Sequence, residues 1–388
     1  MLQRNVLAML AAFLVLGMGE ELWVRFVPKY LEILGASAWT VAAYGTLREL
    51  LDALYPYPGG WAADRMGRRR ALELFALLAA GGYLLYLVAP GWPWVITGTV
   101  LVMAWSSLTL PAIFAVLGDN LPSSQRATGF GVQSILKRVP IILAPPLGGW
   151  LISRLGFLGG VRAGLAVTIV LAFVGIFILR RSYLEPPAPA PDTERLGSLW
   201  RGMDPGLKRL LTADVLARWA EGIPKVFIVL FVMDVLGAGP ARFGWLTSLQ
   251  MITATLVYIP IARISDRMDR KPFVLLTFAF FALFPLILAR ASGTLGLALA
   301  FVVAGLRETG EPARKAMILD LSAAHARGRS VGLYYLVRGL AVFPASLVGG
   351  WLWTLDPRWP LYAAFAVGVA ACVVHALWGP SGAQVVSA

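Results

Sequence analysis

The sequence predicts an all-α membrane protein of twelve transmembrane helices, arranged as two pseudo-symmetric six-helix bundles. Three observations carry this expectation. The 388 residues are 58% hydrophobic and only 14% charged, a balance far from that of a soluble domain. Apolar stretches of about twenty residues recur from end to end, each long enough to cross a bilayer core of ~30 Å. The chain also repeats itself: residues 21–138 return as 218–338, with charged positions kept in step.

The expected spans lie near 4–33, 38–61, 70–89, 93–118, 127–154, 160–180, 207–236, 241–263, 272–290, 294–320, 328–354 and 359–378. The opening segment has a basic start and an apolar core, but no small-x-small cleavage site follows. The helical pattern runs on through Glu20, Glu21 and Arg25, so it reads as a retained first helix. Residues 1–180 form the first bundle and 207–388 the second. Between them, 181–206 reads as a cytoplasmic linker whose Pro/Ala run, Pro186 to Pro191, is an extended tether. Spans 1 and 7 are unusually long, and Pro28 and Pro224 should interrupt them among charges at helical spacing.

The net charge of +13 sets topology. Eighteen Lys/Arg fall in the N-terminal tail and the even-to-odd connections, against five on the opposite side. That asymmetry predicts a multi-pass protein of the cytoplasmic (inner) membrane with both termini cytoplasmic, and it argues against nucleic acid as a partner. A single cysteine, Cys372, and two histidines, His325 and His375, supply no metal site, disulfide or catalytic triad. No cofactor is expected and no enzyme activity. The expected partners are a small-molecule substrate, protons and the lipid bilayer, with the chain a monomer.

Internal repetition is clearest at "GGWAADRMGRRRAL" (from Gly59), which returns as "IARISDRMDRKPFVL" (from Ile261). The first copy, with Gly60, Asp64, Arg65, Gly67, Arg68 and Arg69, resembles the G-x-x-x-D-R-x-G-R-K loop motif of the major facilitator superfamily. The second copy keeps Asp266, Arg267, Arg270 and Lys271, while Ala262 and Asp269 stand in place of the glycines. The segment "APPLGGWL", with Pro145, Gly148 and Gly149, is similar to the superfamily's fifth-helix antiporter motif; its prolines and glycines also suit a kink and close helix packing. The fourth-helix arginine of drug–proton antiporters has no counterpart in span 4, where Lys137 and Arg138 of span 5 are the nearest substitutes. The resemblance implies two bundles rocking about a central site, with helices 1, 4, 7 and 10 lining the cavity. It also implies a cytoplasmic latch built on Gly60, Asp64, Arg65, Gly67 and Arg68, with Asp266 and Arg267 in the second copy.

Nineteen charged residues fall inside the expected spans, eleven basic and eight acidic. At roughly 3 kcal/mol per central charge, they must face one another or a water-filled cavity. Counting about 1.5 Å per residue, Arg48, Glu49, Asp52, Arg138, Arg307, Glu308, Glu311 and Arg338 fall near the midplane. Glu21, Arg25, Glu221 and Lys225 fall in the outer half, where i,i+4 ion pairs such as Glu21 with Arg25 neutralise each other. The expected substrate-binding cations are Arg25, Arg48, Arg138, Lys225, Arg307 and Arg338, and the expected proton-coupling acids are Asp52, Glu49, Glu308 and Glu311. The favoured reading is a secondary transporter of a small anionic or zwitterionic organic solute, working as a proton-coupled exporter. The alternatives are uptake or exchange of an organic or phosphorylated anion, movement of amphiphiles or lipids, and a non-transporting membrane sensor.

Overall fold

The computed structural model describes residues 2–109, 111–113, 116, 123–183, 200, 203–265, 268–322 and 327–380. Among these residues the chain is helical throughout, with no strand. In order, the α-helices are α1 (Leu2–Glu20), α2 (Val27–Ile33), α3 (Ala38–Leu54), α4 (Pro56–Met66), α5 (Arg68–Leu87), α6 (Trp92–Met103), α7 (Ser123–Leu155) and α8 (Phe157–Ser182). They continue as α9 (Pro205–Gly222), α10 (Ile228–Leu230), α11 (Pro240–Ser265), α12 (Lys271–Arg290), α13 (Gly293–Leu306), α14 (Glu311–Asp320), α15 (Arg327–Val342), α16 (Ala345–Leu355) and α17 (Trp359–Trp378).

Among the described residues, nine helical segments are long and apolar enough to cross a membrane. Spans 2, 7 and 10 of the sequence reading are the ones outside that set, and each is a broken helix. Span 2 divides between α3 and α4 at Tyr55, span 7 between α9 and α10, and span 10 at the turn Arg307–Gly310. These three carry twelve of the nineteen charges expected within spans, and charge lowers their mean hydropathy. Large apolar side chains elsewhere stand fully outward, among them Phe177 and Val170 on α8 and Leu256 on α11, as a lipid-facing surface requires.

The expected interruptions occur where the prolines sit. α1 stops at Glu20, a short 3-10 turn covers Val24–Phe26, and α2 restarts with Pro28 in its first turn, where a missing N–H costs nothing. Pro224 likewise falls in the break after α9. In α7, by contrast, Pro140, Pro145 and Pro146 sit inside one continuous 33-residue helix. Pro146 cannot donate to the carbonyl of Ile142, and the Ser248 hydroxyl donates to that carbonyl instead, at 2.5 Å.

The chain divides into two compact units, Met1–Asp192 with Ala238–Ser248, and Thr193–Gly237 with Leu249–Ala388. In the first unit α1 runs along α8 and α7, and α5 packs on α6 and α8. Its seam is aromatic: the Trp23 indole donates to Thr168 Oγ1 at 3.0 Å, and Tyr83 and Tyr86 meet the Trp23 ring edge-on. In the second unit α9 and α12 both pack on α17, around Leu207, Leu210, Phe278 and Tyr334.

The same close contact is built once in each unit. A Cβ on Gly148 would lie 1.8 Å from the carbonyl oxygen of Leu22, and one on Gly349 would lie 1.9 Å from that of Ile223. Both partners are displaced by 201 positions between the copies. Only glycine allows the helix backbone to approach so closely.

Candidate functional site

The polar interior of the second unit is one connected lattice of ion pairs. Asp214, on the buried face of α9, is fully enclosed. It accepts from Arg314 of α14 at 2.6 Å, from the Tyr334 hydroxyl of α15 at 2.8 Å and from Arg338 of α15 at 3.3 Å. Arg314 turns its other nitrogens to Glu311, at 2.7 and 3.2 Å. Glu311 also accepts from Arg218, which binds Glu221 at 2.8 Å and faces Asp214 at 3.7 Å. Arg307 stands 3.9 Å from Glu221.

This arrangement follows from placement on the helices. Asp214, Arg218 and Glu221 share a face of α9 at spacings of four and three residues. Glu311 and Arg314 do the same in the first turn of α14. Phe281 of α12 supplies the floor, with the Arg218 and Arg307 guanidinium groups 5.2 and 5.1 Å from its ring centre, and Phe284 lies 4.8 Å from Arg307. In the pairs named here four arginines face three carboxylates. Ions so enclosed persist only when each has partners, because an unpaired one would retain its full desolvation cost.

The first unit handles its acids differently. Asp52 of α3 accepts from the Ser107 hydroxyl. Ser107 belongs to a π-helical turn, Ala104–Leu108, that continues α6. Such turns re-aim side chains and recur at functional sites. Glu20, at the end of α1, accepts from the Tyr83 hydroxyl of α5. Neither carboxylate makes an ion pair with a cation among the described residues. Arg48 donates to Tyr44 at 3.3 Å and lies over its ring. Glu21 holds Arg25 at 2.9 Å, as its i,i+4 spacing predicts.

Beside these groups lies a cavity of about 100 Å³ bounded by α1, the π-helical turn and α7. Leu10, Phe13, Leu14, Pro140 and Ile141 give it an apolar wall, and Glu20, Glu21, Ser106 and Lys137 its polar points. Phe13 and Trp105 stack within it at 4.8 Å.

The expected site residues thus fall into distinct groups. Glu221, Arg307, Glu311 and Arg338 join one lattice, with Lys225 in the break just after α9. Glu308 lies in the turn between α13 and α14, next to Arg307. Glu21 and Arg25 pair with each other, and Arg48, Glu49 and Asp52 share α3. Arg138 sits half-buried on α7. The shared face expected for Arg48 and Asp52 exists, but each side chain takes a different partner, Tyr44 and Ser107.

In the loop motif, Gly67 adopts φ 88°, the positive value that glycine tolerates. Asp64 is exposed, Arg65 lies over the Trp61 ring at 4.5 Å, and Arg68 is buried. Gly60 is on α4, half-buried. Asp266 and Arg267 lie outside the described residues, while Arg270 pairs with Asp320. Pro145, Gly148 and Gly149 pack backbone to backbone: Pro145 against Gly244, Gly148 against Leu22, Gly149 against Pro240.

Asp214, Tyr334, Tyr83 and Ser107 were absent from the expected site. Asp214 had one sequence signal, its i,i+4 spacing to Arg218; the hydroxyl partners had none.

Charge paired among apolar membrane-spanning helices, with one helix contact built twice, defines a polytopic membrane protein of two related halves. The chain belongs to the Major Facilitator Superfamily, whose sequence profile matches residues 6–233 and 210–386. It is 28% identical over 391 aligned positions to the multidrug resistance protein MdtH of Klebsiella pneumoniae subsp. pneumoniae, covering 96% of this chain and 91% of that one. It is 22% identical over 354 residues to an uncharacterised MFS-type transporter of Methanocaldococcus jannaschii, covering 88% and 86%. Among solved structures, the nucleoside transporter NupG matches with a TM-score of 0.81 at 13% identity, over 97% of this chain and 100% of that one. That likeness is one of fold.

Proposed function

We propose that this transporter is a proton-coupled exporter of small anionic or zwitterionic organic solutes, working by alternating access of its two helical halves. The observation that carries the reading is the treatment of acids in the first unit. Glu20 and Asp52 are held by hydroxyl groups, whereas Asp214 and Glu311 are clamped by arginines. A carboxyl group with a hydroxyl partner keeps that hydrogen bond whether or not it carries a proton. One held by two guanidinium groups must first part an ion pair. Between Asp52 and Glu311, two of the acids expected to couple to protons, we therefore assign the proton to Asp52.

Export is supported by the multidrug resistance name of the MdtH relatives and by the fifth-helix Pro145, Gly148 and Gly149 segment. The cations Arg307, Arg338 and Lys225 of the second unit support an anionic group on the solute. The distribution of Lys/Arg supports a cytoplasmic-membrane protein with both termini cytoplasmic. Gly67 and the basic cluster after it support the cytoplasmic latch.

The test is a solute-panel flux assay in proteoliposomes under an imposed pH gradient, with wild type beside Asp52→Asn. Flux that follows the gradient in wild type, and survives in the variant only as solute exchange, is the expected result. Wild-type flux indifferent to the gradient would remove proton coupling. Silence from folded protein across the panel would remove export of such solutes.

A further inference from the structure

The cavity of the first unit has a chemical signature that the transport reading does not itself supply. Its wall is aromatic and apolar, through the stacked Phe13 and Trp105 rings and Leu10 and Pro140. Two groups of opposite charge line it, Glu20 from α1 and Lys137 from α7. The third charged group on that wall, Glu21, is neutralised by Arg25 at 2.9 Å.

Glu20 and Lys137 differ from every acid and base of the second unit's lattice. Among the described residues Glu20 has a single hydrogen-bond partner, the Tyr83 hydroxyl, and no ion pair. A carboxylate has about four acceptor positions, so most of its capacity is open. Lys137 makes neither a hydrogen bond nor an ion pair among the described residues. Lys137 is exposed and Glu20 half-buried, and they face one apolar wall without a direct ion pair, attracting each other only at a distance, so both remain accessible to a ligand.

We propose that this cavity binds a zwitterionic solute with an aromatic body, its ammonium on Glu20, its acidic group on Lys137 and its ring against Phe13 and Trp105. The assignment rests on the export reading and narrows its solute class. A purely cationic ligand would leave Lys137 open and bring positive charge beside it. A purely anionic one would do the same at Glu20. Only a ligand with both ends satisfies both groups, and the aromatic wall accepts a ring by stacking and an ammonium by attraction to the ring faces.

The test uses the purified full chain in detergent and three probes: aminomethyl-biphenyl-carboxylic acid, its methyl ester and its N-acetyl derivative. Binding is read by tryptophan fluorescence. Wild type is expected to bind the zwitterion about tenfold more tightly than either blocked form, one charge-assisted contact being worth about that factor. Glu20→Gln should erase the advantage over the N-acetyl form alone, and Lys137→Met the advantage over the ester alone. Wild type binding the ester or the N-acetyl form as tightly as the zwitterion overturns the proposal without needing a variant. So does an unchanged ranking in both folded variants. Flux in proteoliposomes separates the two claims: ranked binding without flux removes export and leaves the site, whereas flux of other solutes without the ranking removes the site alone.

Discussion

Arg314 and Asp214 lie 100 residues apart in sequence and 2.6 Å apart in space, with side chains exposed by no more than 2%. Around this pair α9, α14 and α15 are joined by charge as well as by apolar packing: Glu311 shares Arg314 with Asp214, Arg338 and Tyr334 complete the carboxylate's partners, and Ala213, Met317 and Leu333 pack beside them. A pair so enclosed acts as a fastening, since neither ion can leave the other without being stranded in an apolar surround.

Breaking that fastening from one side is therefore worse than removing it. Asp214→Asn should destabilise the protein by about 3–5 kcal/mol, because three arginines lose their shared acceptor. The double variant Asp214→Leu with Arg314→Met should lose less than the sum of its single changes. Thermal unfolding in detergent checks both, and strict additivity would show that the two residues do not act together.

Phe281 underlies two guanidinium groups at once, Arg218 and Arg307. Phe281→Leu keeps most of the apolar volume and removes the ring face. The expected loss is about 1–2 kcal/mol of stability, with weaker apparent affinity for an anionic solute as Arg307 is released. A change confined to stability, with solute KM unaltered, would place Arg307 outside the solute path.

At Gly148 and Gly349 a methyl group has nowhere to go. Gly148→Ala and Gly349→Ala should each cost about 1–3 kcal/mol by forcing the paired helices apart. Gly332 in α15 is the control: nothing lies within 4 Å of an added Cβ there. Gly332→Ala should stabilise by up to about 1 kcal/mol through helix propensity. Midpoints of thermal unfolding in one detergent measure all three.

Asp52 and Glu311 are expected to separate in function. Asp52→Asn should abolish accumulation driven by a pH gradient while leaving exchange of solute across the membrane within about twofold of wild type. Conversion of Glu311→Gln should first lower the yield of folded protein, since Arg218 and Arg314 both bind that carboxylate. Equal loss of coupling in two equally stable variants would argue that both acids carry protons.

Most of the architecture was legible in the sequence because it rests on short-range patterns. Apolar runs mark the spans, Pro28 and Pro224 mark the breaks, and Glu21 with Arg25 follows helical spacing. The loop glycine at Gly67 was likewise readable from its motif. The hub at Asp214 was not, because its partners Arg314, Tyr334 and Arg338 are 100 to 124 residues away. Nor was the hydroxyl character of the first unit's acids. Tyr83 is 63 residues from Glu20 and Ser107 is 55 from Asp52, and nothing in the neighbourhood of a tyrosine or serine announces a distant carboxylate. In spans 2 and 10 the helices break just before Pro56 and Pro312, breaks that the spans read from the sequence ran across.

The duplicated contact of Gly148 on Leu22 and Gly349 on Ile223 bears on how this protein diversifies. Its two halves share a frame and differ in furnishing, one lined with hydroxyl-held acids and aromatic rings, the other with a locked lattice of arginines. Changes that re-aim specificity can thus accumulate around the less buried Glu20, Ser106 and Lys137 with little effect on the frame. The same changes aimed at Asp214 or Arg314 would be felt first as loss of the protein itself. Directed evolution of selectivity should accordingly find most of its viable solutions in the amino-terminal half.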